Sequence, residues 1–229
     1  MITKLDWDTD FFGYPVGKID LTDSSEFNLK VFLNEIDIYK LVYIFSNSQI
    51  SVNKALHVDS KVIFSKSLYN TDIQELRYCN LYESGKHNYE QLEFLAVESG
   101  KYSRFKIDPN FVNNEFERLY RKWISVSVRK LNAIETLLYT EQNQIIGLVT
   151  IGKKNEKLAE IGLVAVNPNH QGKGIGSKLI ADAEAFALNS GFDTIQVATQ
   201  QANENAMKLY KRNGYNIEKI IHVYHYWNK

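Results

Sequence analysis

The run Val166-Asn167-Pro168-Asn169-His170-Gln171-Gly172-Lys173-Gly174-Ile175-Gly176-Ser177 places three glycines at alternate positions just ahead of a helical pattern. Without Cβ atoms at Gly172, Gly174 and Gly176 a ligand can reach the backbone, and successive amide N–H groups between Gln171 and Gly176 can converge on phosphate oxygens. The helix that follows adds its own unpaired N–H groups and the positive end of its dipole. The chemistry implied is the grip of a pyrophosphate. Spacing excludes two other phosphate loops. A P-loop sets a lysine directly before Ser or Thr, whereas Gly176 precedes Ser177; the dinucleotide fingerprint needs two residues between its second and third glycines, where this chain has only Ile175. Glycines also serve tight strand–helix packing, so the loop alone fixes no function.

The elements that must position this loop are readable on both sides of it. Ala159 to Val166 reads as the strand leading in. Leu179, Ile180, Ala183, Phe186 and Ala187 form a 3.6-residue apolar stripe ending at Gly191, and Thr194 to Ala198 reads as the next strand. Upstream, Leu137 to Thr140 and Ile145 to Ile151 read as a hairpin turning through Glu141-Gln142-Asn143-Gln144. Phe116, Leu119, Tyr120 and Trp123 mark a helix that Asn113 or Asn114 can cap. Earlier still, a helix from Ser25 to Tyr39 precedes the strand-like runs Leu41 to Phe45 and Val62 to Phe64, and Ile217 to Trp227 closes the chain as a β-rich segment. Pro109 marks a break. The expected organisation is a small N-terminal α/β domain over residues 1–107 and a second domain over residues 108–229.

The loop has the form Gln-x-x-Gly-x-Gly, which resembles the coenzyme A loop of the GNAT N-acetyltransferase superfamily. Asn203-Glu204-Asn205-Ala206-Met207-Lys208-Leu209-Tyr210, followed by Gly214 and Tyr215, is similar to the late helix of the same superfamily, and the two motifs stand in the superfamily's order. Trp7-Asp8-Thr9-Asp10-Phe11-Phe12-Gly13, the stretch from Ala96 to Pro109 and Phe116 to Ile124 look like the bacterial TDP-fucosamine acetyltransferases. The resemblance implies an α/β (α+β) GNAT fold, a central mixed, mostly antiparallel sheet flanked by helices. It also implies acetyl transfer from acetyl-CoA to the 4-amino group of a TDP-linked 4-amino-4,6-dideoxyhexose, during construction of surface polysaccharide.

Residue by residue, the resemblance assigns the cofactor to Leu163, Val164, Ala165 and Val166 through their backbone, to Gln171, Gly172, Lys173, Gly174, Ile175, Gly176 and Ser177 at the loop, and to Asn203. A backbone N–H of the Ile161–Val166 strand, splayed by a bulge, would meet the thioester oxygen, with Gly162 admitting the pantetheine arm. Tyr210 is the expected catalytic side chain, a phenol able to give a proton to the departing thiolate; packing of its ring against the sheet is the alternative. Asn203 can equally serve as an N-cap. For the acceptor's diphosphate the candidates are Arg104 and Arg121, and for the thymine Phe105, Tyr102 and Trp123. Glu160 at the opening of its strand and His170 beside the loop are the candidate bases, and neither is assigned that role.

Composition bounds the rest. Lys plus Arg number 27 and Asp plus Glu number 27, so no net field attracts nucleic acid or an anionic membrane. Cys79 is the sole cysteine, and the five histidines are scattered, so neither an intrachain disulfide nor a metal site is expected. No stretch approaches the ~20 apolar residues of a membrane span and no basic-flanked apolar segment opens the chain, which together lead to the expectation of a cytoplasmic enzyme. A homodimer stays open. So do two other functions: acetylation of a polyamine, amino acid or protein N-terminus, and a non-catalytic acyl-CoA-binding module.

Overall fold

The apolar runs that the sequence marks as strands collect into one sheet, and the computed structural model describes residues 2–22, 32, 34–69 and 75–228 of the chain. The strands are β1 (Thr3–Lys4), β2 (Val16–Leu21), β3 (Leu41–Ser46), β4 (Ala55–Ser67), β5 (Asn80–Leu81), β6 (Glu135–Glu141), β7 (Gln144–Lys153), β8 (Leu158–Val166), β9 (Thr194–Gln200) and β10 (Asn216–Trp227). Their order across the sheet is β1-β2-β3-β10-β4-β9-β8-β7-β6-β5. Only β2–β3 and β8–β9 run parallel, so the sheet is mixed and mostly antiparallel, as the resemblance implies. The expected boundary at 107/108 falls inside this continuous sheet, because β10 lies between β3 and β4 and β4 pairs with β9.

Helices α1 (Asp6–Phe12), α2 (Tyr89–Ser99), α3 (Arg104–Ile107), α4 (Glu115–Val128), α5 (Ile175–Asn189) and α6 (Glu204–Arg212) complete the described elements. On one face of the sheet the α5 stripe buries Leu179, Ile180, Ala183 and Ala187 against Val62, Phe64, Ile161, Ile195 and Val197. On the other, Leu92 and Leu95 of α2 and Leu119 and Ile124 of α4 pack on Tyr43, Leu138, Leu148 and Leu163. These two layers clamp the strands that carry the site.

Local chemistry explains the joints. The β6–β7 turn has Gln142 and Asn143 at φ of 49° and 64°, the two-residue geometry whose twist suits a hairpin. Helix α4 starts differently from expectation. Asn114 adopts a left-handed φ of 56° and its side chain caps nothing; instead the Glu115 carboxylate reaches back to the Asn113 N–H at 2.6 Å. Helix α2, not anticipated from periodicity, is capped by Asn88, whose Oδ1 accepts from the Glu90 N–H at 2.9 Å. The expected Ser25–Tyr39 helix lies mostly outside the described residues; its end, Ile36–Ile38, is a 3₁₀ turn. Helix α3 stops before Pro109 at Asp108, a buried carboxylate that accepts from the Trp227 indole at 2.8 Å and contacts His225 Nδ1 at 2.7 Å, tying this crossing to the last strand.

Candidate active site

Strands β8 and β9 pair only from Leu158–Ile161 against Thr194–Val197 and then diverge. The cause lies one strand away. Val149 faces Val164 and Ile151 faces Ile161, so Gly162 and Leu163 together oppose Thr150, a bulge that bends β8 out of the ladder. The Leu163 N–H donates to the Thr150 hydroxyl at 2.8 Å. A Cβ on Gly162 would meet that hydroxyl at 2.9 Å, so Thr150 by itself calls for glycine at this position, which also lines the cavity. Beyond the bulge the Asn167 N–H bonds Ile146 of β7 at 2.7 Å. Strand alternation then turns the backbone groups of Val166 and Val164 towards the opening, while Leu163 and Ala165 face β7 and bury their side chains in the core.

The glycine loop sits at the mouth of this opening. Gly172 and Gly174 hold φ near +78°, which lets the chain turn sharply into α5. The N–H groups of residues 173–177 donate to no protein acceptor, and the space where a Cβ would stand on Gly172 or Gly174 is empty. Five consecutive unpaired donors at a helix start form a ready cradle for a pyrophosphate, so the residues present fit coenzyme A. The Gln171 side chain braces the loop by donating to the Val166 carbonyl at 3.2 Å.

A cavity of about 760 Å³ joins these features. Of the residues expected at the site it is lined by Leu163, Val164, Ala165, Val166, Gln171, Gly172, Gly174, Ile175, Gly176, Asn203, Tyr210 and Trp123. Lys173 is exposed outside it, and the Ser177 hydroxyl instead accepts from Arg212 and Asn213 at 3.2 and 3.1 Å. Asn203 is the N-cap of α6, its Oδ1 accepting from the Ala206 N–H at 3.2 Å. Tyr210 packs its ring 5.5 Å from Phe64 and 5.8 Å from Tyr215, and burial alone pushes its phenol well above the ordinary tyrosine value. It lines the cavity with its phenol held in the protonated form. Glu160 also lines the cavity but stands 3.6 Å from Lys154, in keeping with an ion-paired carboxylate.

The expected acceptor residues separate. Trp123 reaches the cavity. Phe105 does not: it is buried among Phe12, Tyr43, Phe111 and His225, where an aromatic core rather than a ligand surrounds it. Arg121 is exposed on α4, away from the cavity wall. Arg104 stacks its guanidinium over Tyr43 at 4.3 Å, beside the cavity-lining Tyr120. Asp59 and Lys61 of β4 join this neighbourhood and were missed, because their strand alternation is readable locally but the partners it faces are not.

The chain is 33% identical over 137 residues to a dTDP-fucosamine acetyltransferase of Escherichia coli, a match covering 59% of this chain and 56% of that protein. It is 26% identical over 133 residues to the spore coat polysaccharide biosynthesis protein SpsD of Bacillus subtilis, covering 58% and 45%. The chain thus spans about half the length of the curated relatives it matches. In fold it is similar to a conserved protein of unknown function from Staphylococcus epidermidis, with a TM-score of 0.65 at 15% identity over 94% of this chain and 85% of that one. The sequence model of the acetyltransferase (GNAT) family matches residues 90–215, more than half of the chain and the whole span from α2 through the glycine loop to the end of the tyrosine helix, so the chain belongs to that family.

Proposed function

We propose that this protein transfers an acetyl group from acetyl-CoA to the 4-amino group of a TDP-linked 4-amino-4,6-dideoxyhexose. The observation that carries the transfer is the union, in one cavity, of the unpaired amides of residues 174–176 at the start of α5, a strand opening at Val164–Val166 and the phenol of Tyr210. Acetyl-CoA supplies the thioester: the acceptor nitrogen forms a bond to its carbonyl carbon, the carbon–sulfur bond breaks and coenzyme A departs as a thiol.

The chain's own residues have three tasks. The loop from Gly172 to Ser177 anchors the pyrophosphate, fixing how deep the reactive end reaches. The backbone N–H groups facing the β8–β9 opening offer preorganised donors to the oxygen on which charge develops. The acceptor nitrogen releases one proton to solvent as the amide forms, and Tyr210 gives its proton to the departing sulfur and is restored from solvent. The sugar acceptor is supported by the relative named a dTDP-fucosamine acetyltransferase, by the one named a spore coat polysaccharide biosynthesis protein, and by the resemblance at Trp7–Gly13 and Ala96–Pro109. Nothing in the five-membered amide cradle selects an acceptor.

Mass spectrometry of reactions with acetyl-CoA and each candidate amine tests the proposal. The TDP-linked 4-amino sugar should gain one acetyl group far faster than the free sugar, because the remote nucleotide supplies binding energy that orients the amine. Equal rates for both, or activity only on polyamines or peptides, would refute it.

A further inference from the structure

Two half-buried cations stand beside the cavity without an anionic partner. Arg104, the first residue of α3, lies flat over aromatic rings, 4.3 Å from the centre of Tyr43, 4.7 Å from Phe105 and 5.4 Å from Phe45. Its Nε is buried and bonds nothing. Lys61 sits in the interior strand β4, opposite Gln200 of β9 on one side and Ile221 of β10 on the other. Among the described residues, neither Arg104 nor Lys61 has a carboxylate within ion-pairing distance or a side-chain hydrogen bond.

Register brings them onto one surface. Directly paired residues on neighbouring strands point the same way. Phe45, Val223 and Asp59 therefore form one row across β3, β10 and β4, and Ile221, Lys61 and Gln200 form another across β10, β4 and β9. Gln200 lines the cavity, as do Tyr120 and Glu160, whose fields reach Arg104 and Lys61 respectively. The second row runs from the cavity-lining Gln200 to Lys61 one strand beyond it, so Lys61 stands next to the cavity wall without lining it. Both rows lie on the sheet face that carries α2 and α4, opposite the face that carries α5 and Tyr210.

Charges withdrawn from water without partners are kept at a cost to stability, which an incoming counter-ion can offset. Two carboxyls share the region. Asp8 accepts from the Tyr43 hydroxyl at 3.2 Å, and burial raises it; Asp59 is pushed up to about 7 by burial, against the lowering fields of Arg104 and Lys61. Burial thus favours the neutral form of both acids, and Glu160, whose field also reaches Lys61, is engaged by Lys154 at 3.6 Å. Burial also pulls Lys61 down, a penalty that a bound anion would relieve.

We infer that Arg104 and Lys61 form the anion subsite of the acceptor, gripping the diphosphate that links its nucleotide to its sugar. The inference rests on the proposed acetyl transfer to a nucleotide-linked amine and adds the residues that select it. Arg104 offers a planar fork already oriented by its stacking, suited to two phosphate oxygens, and Lys61 adds a point charge from the strand below. With Gln200 between Lys61 and the cavity, the amine would lie on the thioester side and the nucleotide over β4.

Calorimetric titration of the full chain, saturated with coenzyme A so that the glycine loop is filled, tests the subsite without requiring the right sugar. Thymidine diphosphate and inorganic pyrophosphate are the probes, with succinate as a carboxylate of similar charge. Both phosphate probes should bind the wild type, and Lys61→Met or Arg104→Gln should each weaken them at least ~10-fold, with coenzyme A affinity and melting temperature held. Unchanged probe affinity in both variants would overturn the inference, as would a wild type that takes succinate in preference to pyrophosphate or takes no phosphate probe at all. Arg104→Lys provides a second arm, since it keeps the charge but loses the fork; it should recover part of the pyrophosphate affinity. A wild type that binds these probes through Arg104 and Lys61 but acetylates no nucleotide-linked amine would retain the subsite and remove the proposed acceptor.

Discussion

Replacing Tyr210 by phenylalanine separates the phenol's chemistry from the ring's packing. The ring contacts with Phe64 and Tyr215, at 5.5 and 5.8 Å, survive the change; pairs of this kind contribute ~0.5–1.5 kcal/mol each. The hydroxyl bonds no protein group, so no internal hydrogen bond is lost and folding stability should hold or rise slightly. Turnover should not hold. A positioned proton donor contributes ~10²–10⁴-fold, equivalent to ~2.7–5.4 kcal/mol of barrier at 1.36 kcal/mol per decade. Because the proton is needed in the transition state, kcat should fall with little change in the KM for acetyl-CoA. Tyr210→Ala is the contrasting control, expected to cost ~3–5 kcal/mol of stability through the cavity it opens. Thermal melts and steady-state kinetics on the three proteins read both axes. Since burial holds this phenol protonated above the ordinary value, wild-type turnover should show no alkaline fall from Tyr210 up to about pH 10. Wild-type kcat in a folded Tyr210→Phe protein would refute the reasoning and leave Tyr210 as a packing residue.

The remaining predictions concern the supports of the site. Gly174→Val places a β-branched side chain at a φ of 77° over the open amides, and coenzyme A affinity measured by calorimetry should drop at least ~10-fold. Thr150→Val leaves the buried Leu163 N–H without its acceptor and should cost ~1–3 kcal/mol in urea unfolding. His225 is buried, which lowers it to about 4 despite the Asp108 contact that raises it. Its neutral form is favoured by folding, so its own contribution is full above the unfolded value of ~6.5 and declines as pH falls from there towards 4, by up to ~2 kcal/mol at pH 5, while Asp59, raised to about 7, acts in the opposite sense over the same range. A His225→Gln protein keeps a donor to Asp108 and should lack that decline when unfolding is followed across the same range.

What the sequence disclosed depended on how local the cause was. The glycine loop was legible because three alternating glycines and a helix start determine both its conformation and its free amides. The hairpin was legible for a similar reason, with Gln142 and Asn143 taking the two positive φ values within a four-residue turn. The start of α4 was not, since Asn113, Asn114 and Glu115 are all able to satisfy a helix start and only their three-dimensional arrangement selects the carboxylate. Phe105 looked like a ligand wall because an aromatic next to an arginine suits a nucleotide base, but residues as distant as Phe12 and His225 enclose it. Asp59 and Lys61 were hidden for the opposite reason. Their strand reads as apolar, and only the insertion of β4 between β9 and β10 shows that Lys61 lies beside the cavity-lining Gln200 and Asp59 beside Val223.

The position of β10 between β3 and β4 also sets the order in which the polypeptide can fold. A ribosome releases β3 and β4 roughly 150 residues before the strand that bridges them, so the early segment must wait with two exposed edges. Loop closure over such a separation is slow, and refolding should be dominated by capture of β10 rather than by formation of the local β6–β7 hairpin. During that wait the apolar run from Leu41 to Phe45 offers unpaired backbone to any neighbouring chain, which makes nascent or heat-stressed molecules natural clients for chaperones. The arrangement that sets Lys61 beside Gln200 thereby exposes the chain to misassembly until β10 arrives.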